Sequence, residues 1–228
     1  MTDRVTPTID HLLVEDVMLV MFQPDSGTIA GENILFYVLG GAVLAEFALN
    51  GSAKGEASSI FSTRVQAIGE AGPSDALLQP AWDYIVDKPR DAQTVLAATG
   101  PTLREPVLNR LIERGDLERT TKKTLGIFTT SRLTLATERR EQLLDRMRAA
   151  LIDGSTVDAR TAAIIGLVSA SGTLSWFHKE IPWSGDVYAR GKEFELANWA
   201  AAAAGAAVAR TTSAVASNSV IAATIGPG

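Results

Sequence analysis

The chain contains no cysteine. That excludes disulfides and thiolate metal sites, and makes a reducing compartment the natural setting. Histidine is nearly absent: His11 and His178 stand far apart, with no further ligand at metal-binding spacing. A lone histidine of this kind is a surface or packing residue before it is a ligand. Missing too are a nucleophile elbow, a P-loop and a G-x-G-x-x-G turn after a strand. The paired carboxylates Glu15-Asp16 and Glu138 to Glu141 read as solvated helix faces rather than acid–base pairs. No catalytic residue, metal or cofactor is therefore expected, and the chain reads as a non-enzyme.

Long apolar runs are also lacking. Leu12 to Phe22 is broken by Glu15 and Asp16 and has no small-residue cleavage site after it, so no signal peptide is expected. Trp199 to Ala209 is short, mostly alanine and followed at once by Arg210. A membrane role would have to be peripheral, which gives a cytoplasmic protein able to sit on the inner membrane face. Nor is there an excess of positive charge. The formal net charge of -5 disfavours a protein that coats nucleic acid, while leaving room for a local basic patch.

What the chain does have is apolar content, 46% over 228 residues, enough for a packed core in one domain. The apolar spacing predicts helices over 12–22, 33–49, 76–86, 92–98, 103–114, 137–152, from Asp158 or Thr156 to about 170, and from about 186 to 210. Asn50-Gly51 and Gly115 read as helix terminators. Residues 52–70 predict a small irregular hairpin, and Asp116 to Thr130 a second one with Thr120–Thr124 at a basic turn. Gly40-Gly41, inside an apolar helix, points to close helix packing. The expected fold is mainly α: a compact, single-domain helical fold over 10–210 with a protruding β-hairpin. Residues 211–228, uncharged and ending Gly-Pro-Gly, are expected to be a loosely packed helix with a frayed tail.

Several segments in collinear order carry a family resemblance. Leu12-Leu13-Val14-Glu15-Asp16-Val17-Met18-Leu19 is followed by Gly40-Gly41-Ala42-Val43-Leu44-Ala45-Glu46-Phe47-Ala48-Leu49. Leu111-Ile112-Glu113-Arg114-Gly115-Asp116-Leu117 precedes the second hairpin, and Asp158-Ala159-Arg160-Thr161-Ala162-Ala163-Ile164-Ile165-Gly166-Leu167 comes later. Over about residues 10–180 this pattern resembles the Golgi phosphoprotein 3 family, in its bacterial, largely actinobacterial, branch. The resemblance implies a compact helical domain with a protruding hairpin. It also implies a peripheral adaptor that binds phosphatidylinositol 4-phosphate and holds the cytosolic tails of membrane enzymes. In eukaryotic members a tryptophan, an arginine and a later basic pair clamp the headgroup. Here the tryptophan falls at Gly31 or Glu32, the arginine at Gly40 and the first of the pair at Pro101; only the second is retained, as Arg104.

Three readings follow. In the first, Arg119, Lys122 and Lys123 with Leu125 form a basic and apolar hairpin tip that touches anionic lipid or a second copy of the chain. In the second, a helix ending at Gly115 before a basic hairpin describes a winged helix; clustering of Arg104, Arg110, Arg114, Lys122 and Lys123 on one face would favour it. The third is a scaffold for an unidentified protein partner, anchored by an exposed subset of Trp176, Phe177, Trp183, Tyr188 and Trp199. The bland alternative for these aromatics is closure of the core.

Overall fold

The computed structural model describes residues 11–59, 62–124 and 128–224. Among them the fold is mainly helical, with small antiparallel sheets. Helix α1 (Leu13–Met21) is buried on every side, its two acids included. Its first turn is closed by Glu15, whose Oε2 accepts from the Leu12 N–H at 2.8 Å. A short β1–β2 pair (Phe22–Gln23 and Thr28–Ile29) then turns the chain.

Helix α2 (Leu35–Leu49) is the central element, as its nearly unbroken apolar sequence requires. It packs on α1, on α4 (Ala92–Thr99), on α7 (Ala159–Ala170) and on α9 (Trp199–Thr224). Gly41 is one reason these helices come so close: a Cβ there would lie 2.8 Å from Leu167 and 3.0 Å from Ala204. Gly40 faces the other way, against Leu96 of α4. At Asn50 the helix stops, and Gly51 takes the left-handed conformation at φ 73° while Ser52 N–H returns to Phe47 O at 2.9 Å.

The expected first hairpin is strands β3 (Ala53–Ser59) and β4 (Ser62–Ala67), with β5 (Arg90–Asp91) as a third strand. Helix α3 (Gln79–Ile85) is shorter than its apolar pattern, because residues 75–78 form a turn around Asp75. Helix α5 (Arg104–Glu113) ends at Gly115, φ 78°, with Asp116 N–H bonded to Leu111 O at 2.9 Å. The chain then enters the second hairpin, strands β6 (Leu117–Thr124) and β7 (Phe128–Leu135).

This ribbon is longer than the 116–130 read from the sequence. The expected basic turn at Thr120–Thr124 is instead strand β6, with Lys122 and Lys123 paired to Thr130 and Thr129. The run Thr120-Thr121-Lys122-Lys123-Thr124 has no glycine or proline to force a turn. Leu125 and Ile127, expected at the tip and on the return, lie outside the described residues.

Helices α6 (Arg139–Leu151) and α8 (Gly185–Ala197) complete the layer over α7. The single C-terminal helix expected from 186 is two, α8 and α9, separated at Asn198, whose side chain caps α9 through the Ala200 and Ala201 N–H groups. Helix α9 runs through the expected loose tail as far as Thr224. Among the described residues no helix is long and apolar enough to cross a membrane.

Candidate functional site

The residues with chemistry to offer fall into three groups. The innermost was misread from sequence as a solvated face. Glu15 is fully buried and Asp16 is 4% exposed, and Asp116, Glu46, Arg114, Arg139 and Arg160 converge on them. Arg139 bridges Asp16 and Asp116, and Thr137 donates to the second oxygen of Asp116 at 2.9 Å. Arg160 donates to Asp16 at 2.7 Å, pairs with Glu46 at 3.4 Å and also donates to the His11 carbonyl. Arg114 pairs with Glu15 at 3.1 Å, while its guanidinium lies 2.9 Å from His11 Nδ1. Burial first, then the charges of Arg139 and Arg114, hold the His11 pKa below its ordinary 6.5.

Each carboxylate in this group is met by a guanidinium, so the group ties α1, α2, α5, α6 and α7 to one another. The cluster is a structural ion network. Among the described residues no set of three or more His, Asp or Glu is arranged to hold a metal ion.

The second group lies on α5. Arg104, expected from the resemblance to be the one retained headgroup position, is bound by Glu32 and Glu105. Its bond to Glu32 outweighs partial burial and holds its pKa above the ordinary value. Glu32 is one of the two positions at which the resemblance would set the family tryptophan. Gly31 beside it is a left-handed turn residue, φ 64°, pressed against Ile34 and Thr173. Gly40 is buried against Leu96 and has no room for an arginine, and Pro101 is exposed in a 3-10 turn over 100–102. The structure thus brings Glu32 to Arg104, a carboxylate to the arginine.

The other α5 arginines are also committed. Arg110 pairs with Asp75 at 2.6 Å and Arg114 with Glu15. Burial would raise the Asp75 carboxyl, but the bonds from Arg110 and from the Leu77 N–H outweigh it and hold the pKa below its ordinary value. The cations of α5 therefore do not gather on one free face, as a groove-reading helix needs.

The third group is the β6–β7 ribbon. Leu117 is buried at its base, and Arg132 donates to the carbonyls of Pro24 and Asp25 at 3.4 and 3.0 Å. Further out, Glu118, Arg119, Thr120, Thr121, Ser131 and Arg132 are all exposed, so both faces of the ribbon meet water there. Over 117–135 the sequence has Arg119, Lys122, Lys123 and Arg132 against Glu118 alone, a net charge of +3 on a chain whose total is -5.

The aromatics of the C-terminal third divide. Phe177 is buried and Trp199 lies over Gly55, but Trp176, Trp183 and Tyr188 are exposed. Trp183 and Tyr188 pair edge to face, 6.2 Å between ring centres.

A family model described as Golgi phosphoprotein 3 matches residues 13–211. It runs past residue 180, where the quoted motifs end, and takes in α8 and the start of α9. A search of curated proteins finds no match.

Proposed function

Because the chain belongs to the Golgi phosphoprotein 3 family, we propose that it is a non-catalytic peripheral membrane protein whose basic ribbon contacts anionic lipid by charge, without a headgroup clamp. One observation carries this reading: a two-stranded ribbon, exposed at residues 118–121 and 131–132 and of net charge +3 by sequence, stands on a chain of net charge -5. Such a ribbon adds little to a core, and two exposed strands alone are marginal in water. An anionic bilayer surface attracts each nearby Lys or Arg by about 1 kcal/mol. The headgroup positions speak for the second half of the reading. Glu32 and Glu105 already occupy Arg104, and a phosphate would have to displace both.

The test is co-sedimentation with vesicles at low and physiological salt. Wild-type protein is expected to bind vesicles containing phosphatidylglycerol, to lose most of that binding at higher salt, and to gain nothing from added phosphatidylinositol 4-phosphate. The triple change Arg119→Gln, Lys122→Gln and Lys123→Gln should abolish binding. Undiminished binding by that variant would sink the proposal.

The exposed Trp183–Tyr188 pair supports a second reading, a scaffold that holds a protein partner. That role and lipid contact are compatible, since the pair and the ribbon are separate features of the surface. Self-association through the ribbon is the remaining contact role. It would show as a change in sedimentation coefficient with concentration that the triple variant lacks.

A further inference from the structure

We infer that strand β3 is a self-association edge: two copies of the chain pair their β3 strands antiparallel about Gly55, joining two small sheets into one. The contact is separate from the ribbon and does not depend on the lipid reading. β3 is the outer strand of the β3–β4–β5 sheet, and among the described residues no strand pairs with its far side. The direction of its backbone groups follows from the register. Ser52 O accepts from Ile68 N–H at 2.7 Å, in line with the pairs Ala53–Ala67, Lys54–Gln66 and Gly55–Val65. Antiparallel ladders alternate between pairs that exchange hydrogen bonds and pairs that do not. Lys54 and Glu56 therefore turn their N–H and C=O groups toward β4, while those of Ala53, Gly55 and Ala57 point to the open edge. Such an edge takes up another strand readily unless it is guarded.

The strand is fixed to the body by its inner face. Ala53 is buried, Val65 opposite Gly55 is buried, and Trp199 lies over Gly55, where a Cβ would meet the indole. The register is regular from Ala53 to Ala57 and shifts only beyond it. Lys54, Glu56 and Ala57 are exposed.

What selects a second copy is the sequence of the strand itself. Ala53-Lys54-Gly55-Glu56-Ala57 is complementary in charge to its own reverse. Antiparallel pairing about Gly55 sets Lys54 opposite the second copy's Glu56, and Glu56 opposite the second copy's Lys54. A lysine on an edge strand ordinarily wards off a neighbour. Here Lys54 already pairs with Glu56 at 2.6 Å, and the two-fold axis would double that pair into a closed ring of alternating charge. Across β4, Arg64 stands opposite Glu56, so the row running over the seam alternates in sign as well. Opposite charges directly across a pair stabilise it, and like charges destabilise it. The lysine–glutamate positions would be the non-hydrogen-bonded ones at the seam, where side chains approach most closely. Two-fold pairing uses the same edge on both copies, so growth stops at a dimer. So short an edge makes a small contact, and the dimer is weak and concentration-dependent.

The experiment is sedimentation velocity of the full-length protein at low salt, over a range of micromolar concentrations. Wild type should move from the monomer value toward the dimer value as concentration rises. Glu56→Lys and Lys54→Glu should each stay monomeric, since each sets like charges across the seam. An equimolar mixture of the two should associate again, because the lysines of one variant then face the glutamates of the other. Ala57→Pro should also stay monomeric: it removes an N–H aimed at the open edge and spares the β3–β4 bonds. All three variants should keep the wild-type circular dichroism spectrum. Wild type that stays monomeric throughout, or single variants that associate as it does, would overturn the inference. So would a mixture of folded variants that fails to recover association. Association lost only in the Arg119, Lys122 and Lys123 triple variant would overturn it too, and assign the contact to the ribbon.

Discussion

Asp16 shows how far local pattern and tertiary setting can diverge at a single residue. Beside Glu15 it looks like half of an acidic surface pair, yet it accepts from both Arg139 and Arg160 in a nearly water-free environment. Removing one partner from such a site leaves the others buried and uncompensated, which costs on the order of 3–5 kcal/mol. Asp16→Ala is therefore expected to lower the urea midpoint drastically or prevent folding, and urea titration followed by circular dichroism would measure this. A loss below about 1 kcal/mol, the range of exposed pairs, would show that the network is solvated after all. A clue was available in the sequence. Leu13, Val14, Val17, Met18, Leu19, Val20 and Met21 take up every side of α1, which leaves no solvent face for two acids. The guanidinium partners were not legible, because Arg139 and Arg160 are 123 and 144 residues away from Asp16.

At the scale of elements, α5 and the ribbon look alike in sequence, since each is rich in basic residues, but they differ in what surrounds them. The α5 arginines face carboxylates from the turn before α2, from the turn before α3 and from α1. Their charge is spent within the protein. On the ribbon, Arg119 and Arg132 are exposed. Arg104→Ala is accordingly expected to leave binding to anionic vesicles unchanged, where Arg119→Gln with Lys122→Gln and Lys123→Gln removes it. Equal losses from both variants in the same co-sedimentation assay would mean that α5 is part of the contact. The lengths of these elements were partly legible. Gly115 marked the end of α5 because only a left-handed residue fits there. The ribbon was cut short because its strands carry little apolar alternation, the main cue for a strand.

For the molecule as a whole, the ion network couples stability to pH through His11. Its folded pKa lies below the ordinary 6.5 owing to burial and to Arg139 and Arg114, which outweigh Glu15 and Asp116. The unfolded chain therefore takes up this proton first. The stabilising contribution is complete above pH 6.5 and is lost as pH falls from there through the folded pKa. The melting temperature should decline from neutral pH toward pH 5, and His11→Asn should flatten that decline. An identical slope in the variant would assign the effect to other groups.

Much of this protein was decided by its sequence alone. The apolar periodicity, the terminating glycines and the order of motifs determined a helical fold of this family, because burying apolar surface leaves few alternatives for such segments. Charge count likewise established that any basic surface had to be local. Only the tertiary structure decided which charges are spent and which are free. Ion pairing depends on distances between residues far apart in the chain, and these are set by packing. That is why Arg104, expected from the family resemblance at a headgroup site, lies bound by Glu32, while Trp176, one of five candidate aromatics, is exposed.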